Sequence, residues 1–172
     1  MSTALCLNRL REVSPKFRFG SFHFRNAHFL ASVPLKKSGQ QLDGKFLEGK
    51  KPLVLYFSAG WCPSCRMFTP KFAKFYEDFA KSRGLEVVWV SRDKEEQDLE
   101  NYYEKLPDWA YVPFGDKNIR ELLHKYNVKT IPTLRLVDEN GKVLSDEIRK
   151  DIEDNWKEHP EKIMEKWEKL YQ

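Results

Sequence analysis

The sequence predicts an α/β domain with a central mixed β-sheet and helices on both faces, behind an N-terminal extension. Leu53-Val54-Leu55-Tyr56-Phe57 is an apolar run of strand length, and so is Leu85–Val90, broken only by Glu86. Between them Phe68, Phe72, Phe75, Tyr76 and Phe79 recur at helical spacing, an aromatic stripe for a long helix that reaches about Ser82 and stops at Arg83-Gly84. A strand, a long helix and a second strand make a right-handed βαβ unit with parallel strands. Asp138-Glu139-Asn140-Gly141 is a hairpin signal joining Leu134–Val137 to Lys142–Leu144, which adds antiparallel strands.

In chain order, residues 1–32 are rich in Arg, Phe and Ser and hold no persistent period. They read as a basic leader of mitochondrial-presequence type or as a disordered tail, and Cys6 within them is a bystander. The domain is 33–172. Val33–Leu35 forms a short edge strand, Ser38-Gly39 a polar turn, and a helical or looped piece runs through Phe46-Leu47 before Lys50-Lys51-Pro52 leads into the first buried strand.

After the second buried strand, Ser91-Arg92-Asp93-Lys94 makes a polar turn at its carboxyl end. Glu95–Lys105 is a charged helix with Leu99, Tyr102 and Tyr103 inward, stopped by Pro107. The aromatic connection Trp109–Phe114 either lines a site or packs under a loop. Asn118–Tyr126 is a short helix with Ile119, Leu122 and Leu123 inward. Pro132 opens the next strand, a position where proline is tolerated. From Asp151 an acid-rich segment leads to a C-terminal helix with Pro160 near its first turn and Ile163, Met164, Trp167 and Leu170 as its stripe.

The chemistry is concentrated at Trp61-Cys62-Pro63-Ser64-Cys65-Arg66. The first buried strand ends in the small residues Ser58, Ala59 and Gly60, and the aromatic helix begins just beyond, so Cys62 stands at a helix N-terminus. Unpaired amides and the positive end of the helix dipole favour a thiolate there, which makes Cys62 the nucleophile. Pro63 suits the first helical position, since its missing N–H would have no partner. Cys65 follows one turn later on the same face, within disulfide reach, as the resolving thiol. A structural zinc site would need four ligands, and the chain has no second Cys-x-x-Cys and no histidine pair at ligand spacing. An inert disulfide across so short a loop would restrain the unfolded chain little. Redox chemistry, with no metal, is the reading that remains.

Composition bounds the function further. A chain 41% hydrophobic and 33% charged suits a globular domain, and no stretch approaches the ~18 apolar residues needed to span a membrane. Three cysteines, two of them in one motif, suit a reducing intracellular compartment, the cytoplasm ahead of the mitochondrion. The whole net charge of +4 comes from residues 1–32, where Arg9, Arg11, Lys16, Arg18 and Arg25 face only Glu12. The remainder is neutral and offers no electrostatic footprint for nucleic acid. The eight glycines form no nucleotide-binding loop.

The order of elements resembles the thioredoxin fold, and within that superfamily the chain is similar to the tryparedoxin and nucleoredoxin branch. The resemblance rests on Tyr56-Phe57-Ser58-Ala59 before the Trp61–Arg66 motif, Phe68-Thr69-Pro70, Tyr102-Tyr103 with Leu106-Pro107, Val112-Pro113-Phe114 and Ile131-Pro132-Thr133-Leu134, over about residues 33–157. It implies a protein-disulfide reductase: Cys62 attacks, a mixed disulfide forms, and Cys65 releases the product. It also implies that Pro132 is cis and faces the sulfurs, that Ile131 offers backbone groups to an extended substrate, and that Trp61 caps one side. With Pro63 and Arg92 these residues make the expected substrate-binding set.

By the same resemblance no cofactor is bound. Electrons come from an external thiol donor such as thioredoxin or glutathione, the partners are disulfide-bearing proteins and an upstream dithiol reductant, and the chain is a monomer. The second reading is a redox-dependent partner-binding module with little turnover. The chain departs from its relatives at three positions. Tyr56 stands where small thioredoxins have a buried acid, Ser64 where tryparedoxins have a second proline, and Arg92 where they have a tryptophan.

Overall fold

The computed structural model describes residues 28–172. Pro34–Lys37 (β1) and Gln40–Asp43 (β2) form an antiparallel hairpin turning at Ser38-Gly39, both with positive φ. The chain then enters Leu53–Ser58 (β3), all six residues of which are buried. Its side chains alternate between two cores, as the two-residue period of a strand requires. Val54 and Tyr56 face one, and Leu53, Leu55 and Phe57 face the other. Glu86–Ser91 (β4) divides in the same way, with Val87 and Trp89 opposite Val88 and Val90. Burial on both faces is why these runs read as continuously apolar.

β3 and β4 are parallel, from Leu53 opposite Glu86 to Ser58 opposite Ser91. The helix between them is the expected one. Pro63–Phe75 (α1) carries Pro63 at its start and buries Phe68, Phe72 and Phe75, together worth roughly 5–9 kcal/mol of apolar burial before entropy is counted. The helical path continues through a wider turn at Tyr76–Ala80 and a tighter one at Lys81–Arg83, and Gly84 ends it in the left-handed conformation (φ 85°). Thr133–Val137 (β6) runs antiparallel on the other side of β3, and Val143–Ser145 (β7) returns beside it, so the sheet is mixed.

Glu96–Tyr103 (α2) and Lys117–Lys125 (α3) flank Ala110–Tyr111 (β5), and the sheet order is β2-β1-β5-β4-β3-β6-β7. α1 and α2 pack on one face with Ile148–Asn155 (α4) and Pro160–Lys169 (α5); α3 packs on the other.

The structure corrects or resolves the sequence reading at several places. Residues 40–43 and 110–111 are strands. Trp109 is fully buried, which settles the aromatic connection as core at that residue. Ile148–Asn155 is a helix of its own, bound to α5 through Trp167 Nε1, which donates to Asp151 Oδ2 at 2.9 Å. Leu170 lies beyond α5 and is 41% exposed, outside the stripe. Ahead of residue 33, Leu30 is buried, and its N–H donates to the buried His28 Nδ1 at 3.2 Å. The basic residues of the leader and Cys6 lie outside the described residues. No helix among the described residues is long and apolar enough to cross a membrane.

Candidate active site

β3 ends at Ser58, and Ala59-Gly60-Trp61 carries the chain around to Cys62, which is the N-cap of α1. The Cys65 N–H, an amide of the first helical turn, donates to Cys62 Sγ at 3.3 Å. Cys62 Sγ lies 3.6 Å from the carbonyl oxygen of Ile131, to which its thiol can donate. Both cysteines are unpaired thiols; Cys62 retains 5% exposure and Cys65 none. Cys62 is therefore the less enclosed of the two and Cys65 the fully enclosed one, the asymmetry that an attacking and a resolving thiol need.

Burial pushes the Cys65 thiol up to about 12, with hydrogen bonding to Cys62 and the charge of Cys62 adding to the rise. Around it stand hydroxyls. Tyr56 OH and Thr69 Oγ1 are 2.6 Å apart, and Thr69 Oγ1 and Tyr102 OH 2.7 Å. Burial raises Tyr56 far above the usual phenol range and Tyr102 to about 12, so both stay neutral. Among the described residues the buried polar side chains are His28, Ser58, Thr69 and Ser91, none of them a carboxylate.

The sequence-derived site residues fall into two groups. Trp61, Cys62, Pro63, Cys65, Ile131 and Pro132 converge, because the end of β3 meets the start of β6 where Phe57 pairs with Thr133. The Ile131-Pro132 bond is cis, with Pro132 buried and Ile131 half-buried. Trp61 is 49% exposed beside the sulfur. Arg92 is adjacent but meets this group through its backbone: Trp61 Nε1 donates to the Arg92 carbonyl at 3.1 Å. The Arg92 side chain lies along a separate cleft with Phe114 and Arg120.

Two contributors escaped the sequence reading. Arg66 Nη1 donates to the Gly60 carbonyl at 2.8 Å, and Asp93 Oδ1 accepts from the Gly60 N–H at 2.9 Å. The only sequence signal for Asp93 was its place in the polar turn at the carboxyl end of the second strand of a βαβ unit, where sites in parallel sheets gather. Beside Trp61 a cleft of about 510 Å3 opens between α1 and α2, lined by Arg66, Pro70, Tyr102 and Lys105 among others.

Known proteins resemble this arrangement closely. A family model described as thioredoxin-like matches residues 49–143. A tryparedoxin of Trypanosoma brucei brucei is 40% identical over 117 residues, covering 67% of this chain and 79% of that protein. Probable nucleoredoxin 1 of Arabidopsis thaliana is 37% identical over 128 residues, which is 71% of this chain but only 22% of the plant protein, so the chain spans about a fifth of that relative. Among solved structures, a thioredoxin of Wuchereria bancrofti superimposes with a TM-score of 0.70 at 38% identity, over 82% of this chain and 97% of that one. With a dithiol at the N-terminus of α1, a cis Ile131-Pro132 bond whose Ile131 carbonyl lies 3.6 Å from Cys62 Sγ, and these relatives, the chain belongs to the thioredoxin-like oxidoreductase family, in its tryparedoxin and nucleoredoxin branch.

Proposed function

We propose that the chain reduces disulfide bonds in other proteins, with Cys62 as nucleophile and Cys65 as resolving thiol. The observation that carries the reading is the pairing of a less enclosed sulfur, faced by a helix amide at 3.3 Å, with a second sulfur fully buried one turn behind it. The Cys62 thiolate attacks one sulfur of the substrate disulfide. A Cys62–substrate bond forms, and the other substrate sulfur leaves as a thiolate and takes a proton from solvent. Cys65 then gives up its proton and attacks the Cys62 sulfur. The internal disulfide closes and the second substrate thiolate departs, taking up through solvent the proton that Cys65 released. The substrate gains two electrons and the domain loses two.

Part of what holds Cys65 protonated is the neighbouring Cys62. Once Cys62 is tied to substrate that contribution ends, so the resolving thiol ionises more readily at the step that uses it. Ile131 and Trp61 flank the attacked bond, Ile131 offering backbone groups to an extended segment. An external thiol donor of thioredoxin or glutathione type returns the electrons, with no bound cofactor, and the protein acts in the cytosol as a monomer.

Insulin reduction driven by dithiothreitol tests the reading. Wild type accelerates precipitation of the insulin B chain, Cys62→Ser abolishes the acceleration, and Cys65→Ser accumulates a mixed disulfide visible on non-reducing gels. Equal rates for wild type and Cys62→Ser would remove the assignment. The exposed Trp61, next to Cys62 in the chain, and the exposed Met67 on α1 also favour a partner-holding surface. A partner retained by the double Cys→Ser variant, with no insulin reduction by wild type, would favour that module instead.

A further inference from the structure

The turn after β4 grips the redox loop at Ser58, Gly60 and Trp61. The Arg92 N–H donates to the Ser58 carbonyl at 2.9 Å, and the Arg92 carbonyl accepts from Trp61 Nε1. Asp93 takes Gly60, which lies between those two. Its Oδ1 accepts from the Gly60 N–H at 2.9 Å, while its Oδ2 accepts from Ser91 Oγ at 2.7 Å. The Asp93 N–H donates back to the same Ser91 hydroxyl at 2.8 Å. The carboxylate is thus fixed at both oxygens and through its own amide.

The next peptide unit, Gly60-Trp61, is also held, because Arg66 Nη1 donates to the Gly60 carbonyl at 2.8 Å. An anion at the N–H of Gly60 and a cation at its C=O each lie where that residue's backbone dipoles favour them, and both bonds are charge-assisted. A third side is closed sterically: a Cβ built on Gly60 would stand 3.1 Å from Tyr102 Cβ and 3.2 Å from its Cγ. Gly60 is therefore oriented from three directions, although the loop that carries it is a surface loop. Trp61 follows directly, half exposed, with one polar bond of its own, so the direction of its indole is set by the loop beneath it.

We propose that Asp93 is a positioning residue for disulfide reduction, fixing Gly60 so that Trp61 stands as a rigid wall opposite Ile131-Pro132. The proposal deepens the reductase reading and rests on it. A protein disulfide has to seat its flanking backbone between that wall and Ile131 before Cys62 can attack, so a loose wall costs orientation. A small disulfide that presents little beyond its two sulfurs needs the wall far less. Asp93 touches neither substrate nor sulfur; it acts through Gly60 and Trp61.

Asp93→Ala, Asp93→Asn and Ser91→Ala are compared with wild type in two assays. The first is the ratio of kcat/KM for insulin to that for 5,5′-dithiobis(2-nitrobenzoate). Asp93→Ala lowers this ratio about tenfold, mostly through KM for insulin, as expected for losing one charge-assisted hydrogen bond. Asp93→Asn restores most of it, since an amide oxygen still accepts from Gly60, and Ser91→Ala gives a smaller loss of the same kind. The second assay needs no turnover. In 15N NMR of the reduced protein, hydrogen exchange of the Gly60 amide and the Trp61 indole N–H accelerates at least about fivefold in Asp93→Ala and stays near wild type in Asp93→Asn. A ratio that does not move, equal losses in Asn and Ala variants, or unchanged exchange at Gly60 would each overturn the proposal. A wild type that reduces neither disulfide would instead overturn the reductase reading, and the exchange measurement would still judge the clamp.

Discussion

Thr69→Val cuts the hydroxyl chain beside the resolving cysteine at its centre. Thr69 is 4% exposed and its hydroxyl is the common partner of Tyr56 and Tyr102, at 2.6 and 2.7 Å. Valine keeps the shape and the branched Cβ, so no cavity opens and the effect is confined to hydrogen bonding. The two tyrosines differ in what they lose. Tyr102 is 6% exposed and lines the cleft beside Trp61, where water can replace the lost partner. Tyr56 is fully buried under Phe68, Phe72 and Trp109, where water does not replace Thr69 and only Ser58 is left as a hydroxyl partner, so its hydroxyl keeps much of the desolvation penalty. A buried hydroxyl without a partner costs about 1–3 kcal/mol. The expected loss is therefore about 2 kcal/mol, a fall in Tm of roughly 4–8 °C for a domain of this size.

Urea and thermal unfolding of the reduced protein measure it, and the double variant Tyr56→Phe/Thr69→Val isolates the cause. Removing the orphaned hydroxyl as well should recover about half of the loss, so the double variant is more stable than Thr69→Val alone, a non-additivity that packing changes would not produce. A double variant less stable than Thr69→Val, or a single-variant cost below about 0.5 kcal/mol, would refute the reasoning.

Other expectations follow from the same contacts. Gly60→Ala forces a Cβ to 3.1 Å from Tyr102 and costs about 1–3 kcal/mol, read as a lowered urea midpoint together with slower insulin reduction. The folded protein holds the Cys65 proton up to about 12, above its unfolded value of 9.0, so the folded state binds more protons in that window. Cys65 thus contributes stability that is present below pH 9 and is lost as pH rises through 12, and Cys65→Ser flattens the alkaline fall of the urea midpoint of the reduced protein. A reporter fused to residues 1–35 stays diffuse in the cytosol; mitochondrial import of the fusion would reverse that placement.

The parts of the molecule that were legible in the sequence are those in which local pattern and tertiary role agree. β3 and β4 are buried on both faces and so read as unbroken apolar runs, and the stripe of α1 is aromatic and regular. The Cys62/Cys65 pair was legible because its spacing carries the chemistry, whereas the cis form of Pro132 was implied only by the family resemblance. β2 was not, since Gln40–Asp43 is a polar edge strand whose one apolar side chain, Leu42, pairs with Leu35. β5 was hidden because its two residues sit in an aromatic stretch between prolines and become a strand only by lying beside Trp89 of β4. α4 shows only Ile148 and Ile152 as its apolar pair within a charged segment, too short a stripe to separate it from α5. Asp93 and Arg66 were invisible as site residues because their partner is a backbone peptide, and no side-chain pattern announces that.

The nucleophile and the loop that faces it come from chain segments 69 residues apart, and they meet only because β6 lies antiparallel to β3 with Phe57 opposite Thr133. Sliding β6 by one residue would carry the Ile131 carbonyl about 3.4 Å along the sheet and turn every side chain of the strand to its other face. Enzymatic competence and correct strand alignment are therefore a single event for this molecule. A half-assembled chain has a thiol but no groove, and recovery of turnover during refolding is a direct clock for the closing of the β3–β6 ladder.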